Sequence, residues 1–169
     1  MTFRDANLSD AASLAAISME VWVGTYLRRG VSNVFADYAL REFTAARFQS
    51  ALESDRDHII VSQNTDGIDG FIRLSLDSEA PIDACSGLEI KTLYVQPRHH
   101  GRGIGKGLLK AGFDRCAQLG IQSAWLTVNA ENTAARDFYL SLDFRIIGQT
   151  HFRIGDQAYP NDVMQRKLT

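Results

Sequence analysis

The chain has 169 residues, 45% hydrophobic and 22% charged, which is the length and composition of one globular domain with its own core. Its formal net charge of -2 argues against a dedicated nucleic-acid binder, which would show a basic face. Two cysteines, Cys85 and Cys116, make no disulfide framework, no run approaches the apolar length of a membrane helix, and the charged opening "MTFRDANLSD" lacks the apolar region of a signal peptide.

"TFRDA" reads as a first strand. "LSDAASLAAISMEVW" follows as a helix, with Ser9 or Asp10 as N-cap and Leu14, Ile17 and Val21 on one face. Residues 24–36, with Gly24, Gly30 and Asn33, read as a loop with a helical turn. "DYALREFTAARFQSALES" predicts a second helix with Leu40, Phe43, Phe48 and Leu52 toward the core. "HIIVSQ" and "GFIRLSLD" flank the turn signal "NTDGIDG" and predict an antiparallel hairpin. After the loop "SEAPIDACSG" comes the strand "LEIKTLYV", stopped by Pro97. A helix over about 103–119 ends at Gly120, a good residue just past a helix. "SAWLTV" is the next strand, and "NTAARDFYLSL" is a helix capped by Asn132, with Ala135, Phe138, Tyr139 and Leu142 at helical spacing. "FRIIGQTHFRI" and "QAYPNDVMQRKL" close the chain as two strands joined at Gly155 and Asp156. Strand hairpins mixed with strand–helix–strand crossovers predict a single α+β (mixed α/β) domain over 1–169 with a partly antiparallel sheet.

The stretch "RHHGRGIGKGLLK" carries the most information. Glycines at 101, 103, 105 and 107 stand where a helix begins, although glycine is a poor helix former. Removing side chains lets a backbone approach a ligand closely. A helix start offers unpaired N–H groups and a positive dipole end, which suit a phosphate. Arg102 and Lys106 add charge, within a local basic patch that also includes Arg98, His99 and His100. The plainer alternative is a glycine-rich turn that only starts a helix. The Walker A loop fails on spacing, because Gly107 follows Lys106 where Ser or Thr is needed and His100 stands where the first Gly should be. The dinucleotide fingerprint fails as well, because Lys106 and Leu108 occupy its third glycine in the two possible registers.

"LYVQPRHHGRGIGKGLL" resembles the acyl-CoA motif of the GNAT superfamily of N-acetyltransferases, [QR]-x-x-G-x-[GA] after a strand ending in apolar-x-Val-x-Pro. Here the motif reads His100, Gly101, Arg102, Gly103, Ile104, Gly105, with His100 in place of the family's Gln or Arg. "NTAARDFYLSLDF" is similar to the family pattern N-x-x-A-x-x-F-Y-x-x-x-G-F, with Asp143 in place of Gly. "FRDANLSDAASLAAI" resembles the family's first strand and helix, and "DVMQRKL" its last strand. The resemblance covers essentially the whole chain. It implies a twisted, mostly antiparallel sheet of about seven strands, splayed between strands 4 and 5 and flanked by about four helices. It also implies acetyl-CoA as co-substrate, no metal, and direct transfer of the acetyl group to a primary amine of a small molecule or peptide. A cytoplasmic protein is expected, with no nucleic-acid or membrane partner, and a homodimer is one family option. A branch that includes polyamine and small-amine acetyltransferases is similar in "MEVWVGTYLRRGV".

The resemblance assigns backbone groups of Leu93, Tyr94 and Val95 to the pantetheine arm. It assigns His100, Gly101, Arg102, Gly103, Ile104, Gly105 and Lys106 to the pyrophosphate, and Asn132 to the pantetheine or nearby phosphate region. Asn132 also fits a plain N-cap, and one amide can do both. Tyr139 lies seven residues after Asn132, two helical turns on. It matches the family tyrosine that donates a proton to the leaving thiolate; the alternative is a core aromatic beside Phe138. The family's fifth-strand Glu is replaced by Thr127, so the base falls to Glu89 on the preceding strand, against the alternative of a solvated carboxylate. Trp22 and Tyr26, four apart on one helix face, line an acceptor pocket or simply pack. Cys85 and Cys116 read as structural, and neither they nor His99 and His100 make a metal-ligand pattern. The second reading of the chain is an acyl-CoA-binding sensor without catalysis.

Overall fold

The computed structural model describes residues 1–168. Strands β1 (Thr2–Asp5), β2 (Asp57–Gln63), β3 (Ile68–Ser75), β4 (Leu88–Val95), β5 (Ser123–Asn129), β6 (Arg145–Ile154) and β7 (Gln157–Lys167) form a seven-stranded sheet in the order β1-β2-β3-β4-β5-β7-β6. Five helices accompany it: α1 (Ala11–Tyr26), α2 (Asn33–Glu42), α3 (Ala45–Glu53), α4 (Ile104–Gln118) and α5 (Thr133–Leu140). β4 and β5 run parallel, while β1–β2, β5–β7 and β6–β7 run antiparallel. The expected mixed α/β class stands, with one helix more than expected.

The extra helix comes from the stretch 38–54. Thr44 has an extended backbone (φ -118°, ψ 151°), and its hydroxyl accepts from Arg47 N, so it caps a new helix instead of continuing the old one. Ser32 caps α2 in the same way, accepting from Phe35 N. The break rotates the expected apolar stripe apart. Leu40 is 68% exposed, whereas Ala39, Phe48 and Ala51 are buried.

The backbone gathers into two compact units, one of residues 1–74 with 92–112, the other of 75–91 with 113 onward. In the first, Leu14, Ile17, Phe48, Ile59, Val61 and Phe71 form a continuous core under α1 and α3. The chain approaches α1 through a 3-10 turn, Leu8–Asp10, with a reciprocal cap: Asn7 Oδ1 accepts from Ser9 N, and Asp10 Oδ2 accepts from Asn7 N. This replaces the expected Ser9 or Asp10 cap, since Asp10 makes no side-chain cap bond to α1. Its carboxylate instead takes two hydrogen bonds from Arg4, at 2.8 and 3.0 Å, which hold it below the ordinary aspartate range. Between β2 and β3, Asn64 N donates to Gly67 O at 2.9 Å and Asn64 Oδ1 accepts from Asp66 N and Gly67 N. β3 therefore begins inside the stretch that the sequence marks as a turn, and Ile68, Asp69 and Gly70 are strand residues.

In the second unit Ala124, Leu126, Val163 and Met164 are buried on paired β5 and β7. Phe144 packs on Phe113 and on Tyr139, with ring centroids at 6.3 and 5.5 Å. The turn after α5 explains a departure from the family pattern. Asp143 sits at φ 62°, in the left-handed region that favours glycine. Phe144 N donates to Tyr139 O across that turn.

Candidate active site

The connection from β4 to α4 is built by short-range hydrogen bonds. Gln96 N donates to Asp69 O at 2.9 Å, and Pro97 opens a 3-10 turn, Pro97–His99, closed by His100 N on Pro97 O. Gly101 and Gly103 follow at φ 76° and 80°. Open space surrounds both where a Cβ would stand, so backbone conformation alone requires glycine there. Gly107 N then donates to Gly103 O, the first rung of α4. The N–H groups of Ile104, Gly105 and Lys106 precede that rung and have no acceptor within the helix. Ile104 is buried and anchors the turn, while Arg102 and Lys106 are exposed beside it. A cationic turn with N–H groups free of intrahelical acceptors and a positive dipole end suits a phosphate.

Gly107 has a different reason to be glycine. A Cβ there would overlap the ring of Phe3 on β1. The four alternating glycines are thus not one device: two serve the turn, and the fourth serves packing.

His100 departs from the Gln or Arg expected at its position, and its side chain turns back on its own strand. Its Nε2 lies 3.0 Å from Val95 O. The carbonyl accepts, so Nε2 carries the hydrogen. The Val95 oxygen, one of the backbone groups expected for a ligand, is therefore engaged by His100. Tyr94 O is also closely approached, since a Cβ on Gly70 would lie 2.8 Å from it. Leu93, Tyr94 and Val95 are half-buried, and the Tyr94 ring stands edge-on to Phe71.

Trp22 and Tyr26 stack at 5.0 Å between centroids, inside a cluster with Phe35, Tyr38 and Phe43. Trp22 is only 5% exposed and packs on all four rings, whereas Tyr26 is half-buried. Burial also pushes the Tyr38 phenol up, with the Glu42 charge adding to it.

The remaining expected residues belong to the second unit. Asn132 caps α5, its Oδ1 accepting from Ala135 N at 3.1 Å. Tyr139 is buried between Phe138 and Phe144, and burial pushes its phenol far above the ordinary tyrosine range. It stays protonated throughout neutral pH. Glu89 is half-buried on β4, opposite Trp125, between the buried Leu88 and Ile90. Cys116 is pushed up to about 11 by burial. Cys85 moves the same way through desolvation, with the Glu89 charge adding to it. Both are free thiols, and both are poor nucleophiles at neutral pH. Among the described residues no group of three His, Cys, Asp or Glu could hold a metal ion, and no helix is long and apolar enough to cross a membrane.

Two buried charge sites escaped the sequence reading. Asp162 on β7 lies 2.7 Å from Arg136 Nε on α5 and accepts from Gln149 on β6 at 3.1 Å. Arg136 also donates to Ala130 O, so it ties the approach to the Asn132 cap to the same carboxylate. Asp69 on β3 faces His99 beside the glycine turn, its Oδ2 3.4 Å from His99 Nδ1. Asp69 was hidden because its neighbours Asp66, Gly67 and Gly70 read as turn residues. Asp162 was hidden because a lone Asp in a strand shows no partner from spacing alone.

Comparison with known proteins agrees with this architecture. A family model described as acetyltransferase (GNAT) family matches residues 19–144. A protein named as an uncharacterised N-acetyltransferase of Mycobacterium tuberculosis is 27% identical over 161 residues, spanning 95% of this chain and 99% of its own. The N-alpha-acetyltransferase RimI of the same organism is 30% identical over 118 residues, 68% of this chain and 70% of its own. The crystal structure of the PaiA N-acetyltransferase from Thermoplasma acidophilum, in complex with coenzyme A, superposes with a TM-score of 0.75 at 18% identity, covering 98% of each chain. The chain belongs to the acetyltransferase (GNAT) family.

Proposed function

We propose that this protein transfers an acetyl group from acetyl-CoA to a primary amine by direct attack on the thioester. The observation that carries the reading is the β4–α4 turn. Two left-handed glycines lead into three consecutive N–H groups that have no acceptor within the helix, flanked by two exposed cations, which fits a pyrophosphate. In this reading residues 100–106 bind the pyrophosphate. His100 contributes by closing the turn on Val95 rather than by reaching forward as Gln or Arg would. Backbone groups of Leu93, Tyr94 and Val95 pair with the pantetheine arm, and Asn132 contributes from the start of α5.

The chemistry balances without a covalent enzyme intermediate. The amine nitrogen attacks the thioester carbon, the oxyanion formed is stabilised by backbone N–H of β4, and the C–S bond breaks with its electron pair on sulfur. Glu89, directly or through water, takes the amine proton, and Tyr139 hydrogen-bonds the departing thiolate. Burial keeps Tyr139 protonated but also makes it a weaker acid, so it serves first as a hydrogen-bond donor to the departing sulfur, with the proton made up from water as the product leaves. Trp22 and Tyr26 both pack within the aromatic cluster, and Tyr26, the more exposed of the two, is the ring on α1 that would meet an acceptor. The acceptor is a small amine, polyamines included, or a peptide α-amine. The likeness to an N-alpha-acetyltransferase over two thirds of the chain supports the second. The test is calorimetric titration with CoA, with ATP as the comparison: CoA must bind at least tenfold more tightly, and equal or preferential binding of ATP would remove the reading.

A further inference from the structure

We propose that Asp69 and His99 form a positioning pair that holds the phosphate-binding turn in shape. The inference rests on the CoA reading above for its ligand, but not for its structural content. Asp69 is buried on β3, its side chain only 5% exposed. Its main chain and side chain grip the same turn. Asp69 O accepts from Gln96 N at 2.9 Å, and Asp69 Oδ2 faces His99 Nδ1 at 3.4 Å and accepts from Asn64 Nδ2 at 3.1 Å. The three contacts join the β2–β3 turn, the first residue after β4 and the last residue of the 3-10 turn. The next residue is His100, whose ring closes on Val95, and Gly101 follows directly.

Burying a carboxylate is costly unless it is paired. Among the described residues the amide of Asn64 is the side-chain donor bonded to Asp69. Asp69 Oδ1 and His99 Nδ1 are both buried without a hydrogen bond among the described residues. A strand position between Ile68 and Gly70 could hold an apolar residue at no such cost. His99 Nδ1 faces the Asp69 carboxylate at 3.4 Å from the last residue of the 3-10 turn. The Gln96 side chain adds a further tie, donating to Glu20 on α1 at 2.9 Å.

The test uses three variants of the full chain: Asp69→Asn, His99→Leu, and His99→Asn, whose amide nitrogen keeps a donor near the Nδ1 position. Asp69→Asn and His99→Leu should raise KM for acetyl-CoA about tenfold, with kcat within about twofold of wild type. His99→Asn should restore KM to near wild type. Amide hydrogen exchange without CoA should quicken over residues 97–103 in the first two variants, and the core of α1 should be unchanged. A lowered melting temperature with unchanged KM and unchanged exchange at 97–103 would overturn the proposal, as would a His99→Asn variant no better than His99→Leu. If the wild-type protein failed to bind CoA, the functional reading would fall, and the exchange measurement would still decide the role of the pair.

Discussion

His100 Nε2 donates to the Val95 carbonyl at 3.0 Å, across the turn between β4 and α4. The histidine that replaces the family's usual Gln or Arg thus holds the turn closed from behind. His100→Ala should weaken CoA binding about five- to tenfold, the value of one neutral hydrogen bond with its carbonyl left exposed. His100→Gln should recover much of the loss, since its amide is also a donor. Calorimetry on the three proteins checks both.

Gly107 and Phe3 are 104 residues apart in sequence and in contact in the fold. Gly107→Ala should cost up to about 1 kcal/mol of stability, below the range for overpacking a sealed core, because the Phe3 ring it meets is partly exposed and can shift. Combining it with Phe3→Ala should return most of that, measured as a coupling in urea unfolding. Gly101→Ala and Gly103→Ala should each cost about 1–2 kcal/mol through backbone strain, and Phe3→Ala should rescue neither.

Asp143 holds a left-handed conformation where the family pattern carries glycine. Asp143→Gly should raise stability by about 0.5–1 kcal/mol, because the strain relieved outweighs the entropy added to the unfolded chain. The measurement is the urea midpoint at unchanged slope.

Among the described residues, removing Arg136 leaves the buried Asp162 carboxylate with the Gln149 amide as its side-chain partner. Arg136→Ala should destabilise by about 2–3 kcal/mol, below the full range for a buried pair because Arg136 keeps part of its side chain in water. Arg136→Ala together with Asp162→Leu should be more stable than Arg136→Ala alone.

The fold also sets an alkaline limit. Cys116 is pushed up to about 11 by burial, and burial raises Tyr139 as well. In the unfolded chain both ionise in their ordinary ranges. Stability is therefore unaffected below the ordinary thiol range and falls as pH rises toward about 11, because the unfolded state loses protons first. Urea midpoints at about pH 8 and about pH 10.5 should differ by more in wild type than in Cys116→Ala.

Much of this was legible in the sequence because the signals are local. Period-two strands, the Asn132 cap and the Gly120 stop depend on neighbours within a few residues. Gly101 and Gly103 were legible for the same reason, since a positive φ is a property of one residue. What failed to show depended on contacts across the chain. Gly107 looked like part of the phosphate device because Phe3 is remote. Leu40 looked like core because a continuous helix was assumed through Thr44, whose capping role competes with helix continuation only in its extended conformation. Asp69 looked like a turn residue because composition cannot say on which side of Gly67 the strand begins. Trp22 and Tyr26 share a helix face as their spacing required, but the rings that enclose Trp22 come from a helix the sequence did not separate from its loop.

The central claim is amine-dependent acetyl transfer. Its most direct test is thiol release from acetyl-CoA by the purified protein, across a panel of polyamines, other small primary amines and peptides with free α-amines. The account predicts release above the no-amine rate with at least one acceptor class, with one acetyl group gained on that amine by mass spectrometry. Tyr139→Phe should lower kcat at least tenfold with CoA affinity unchanged, and Glu89→Gln should lower the rate and change the shape of its pH profile. Tight binding of CoA with no turnover on any amine would contradict it and leave the protein a CoA-binding sensor.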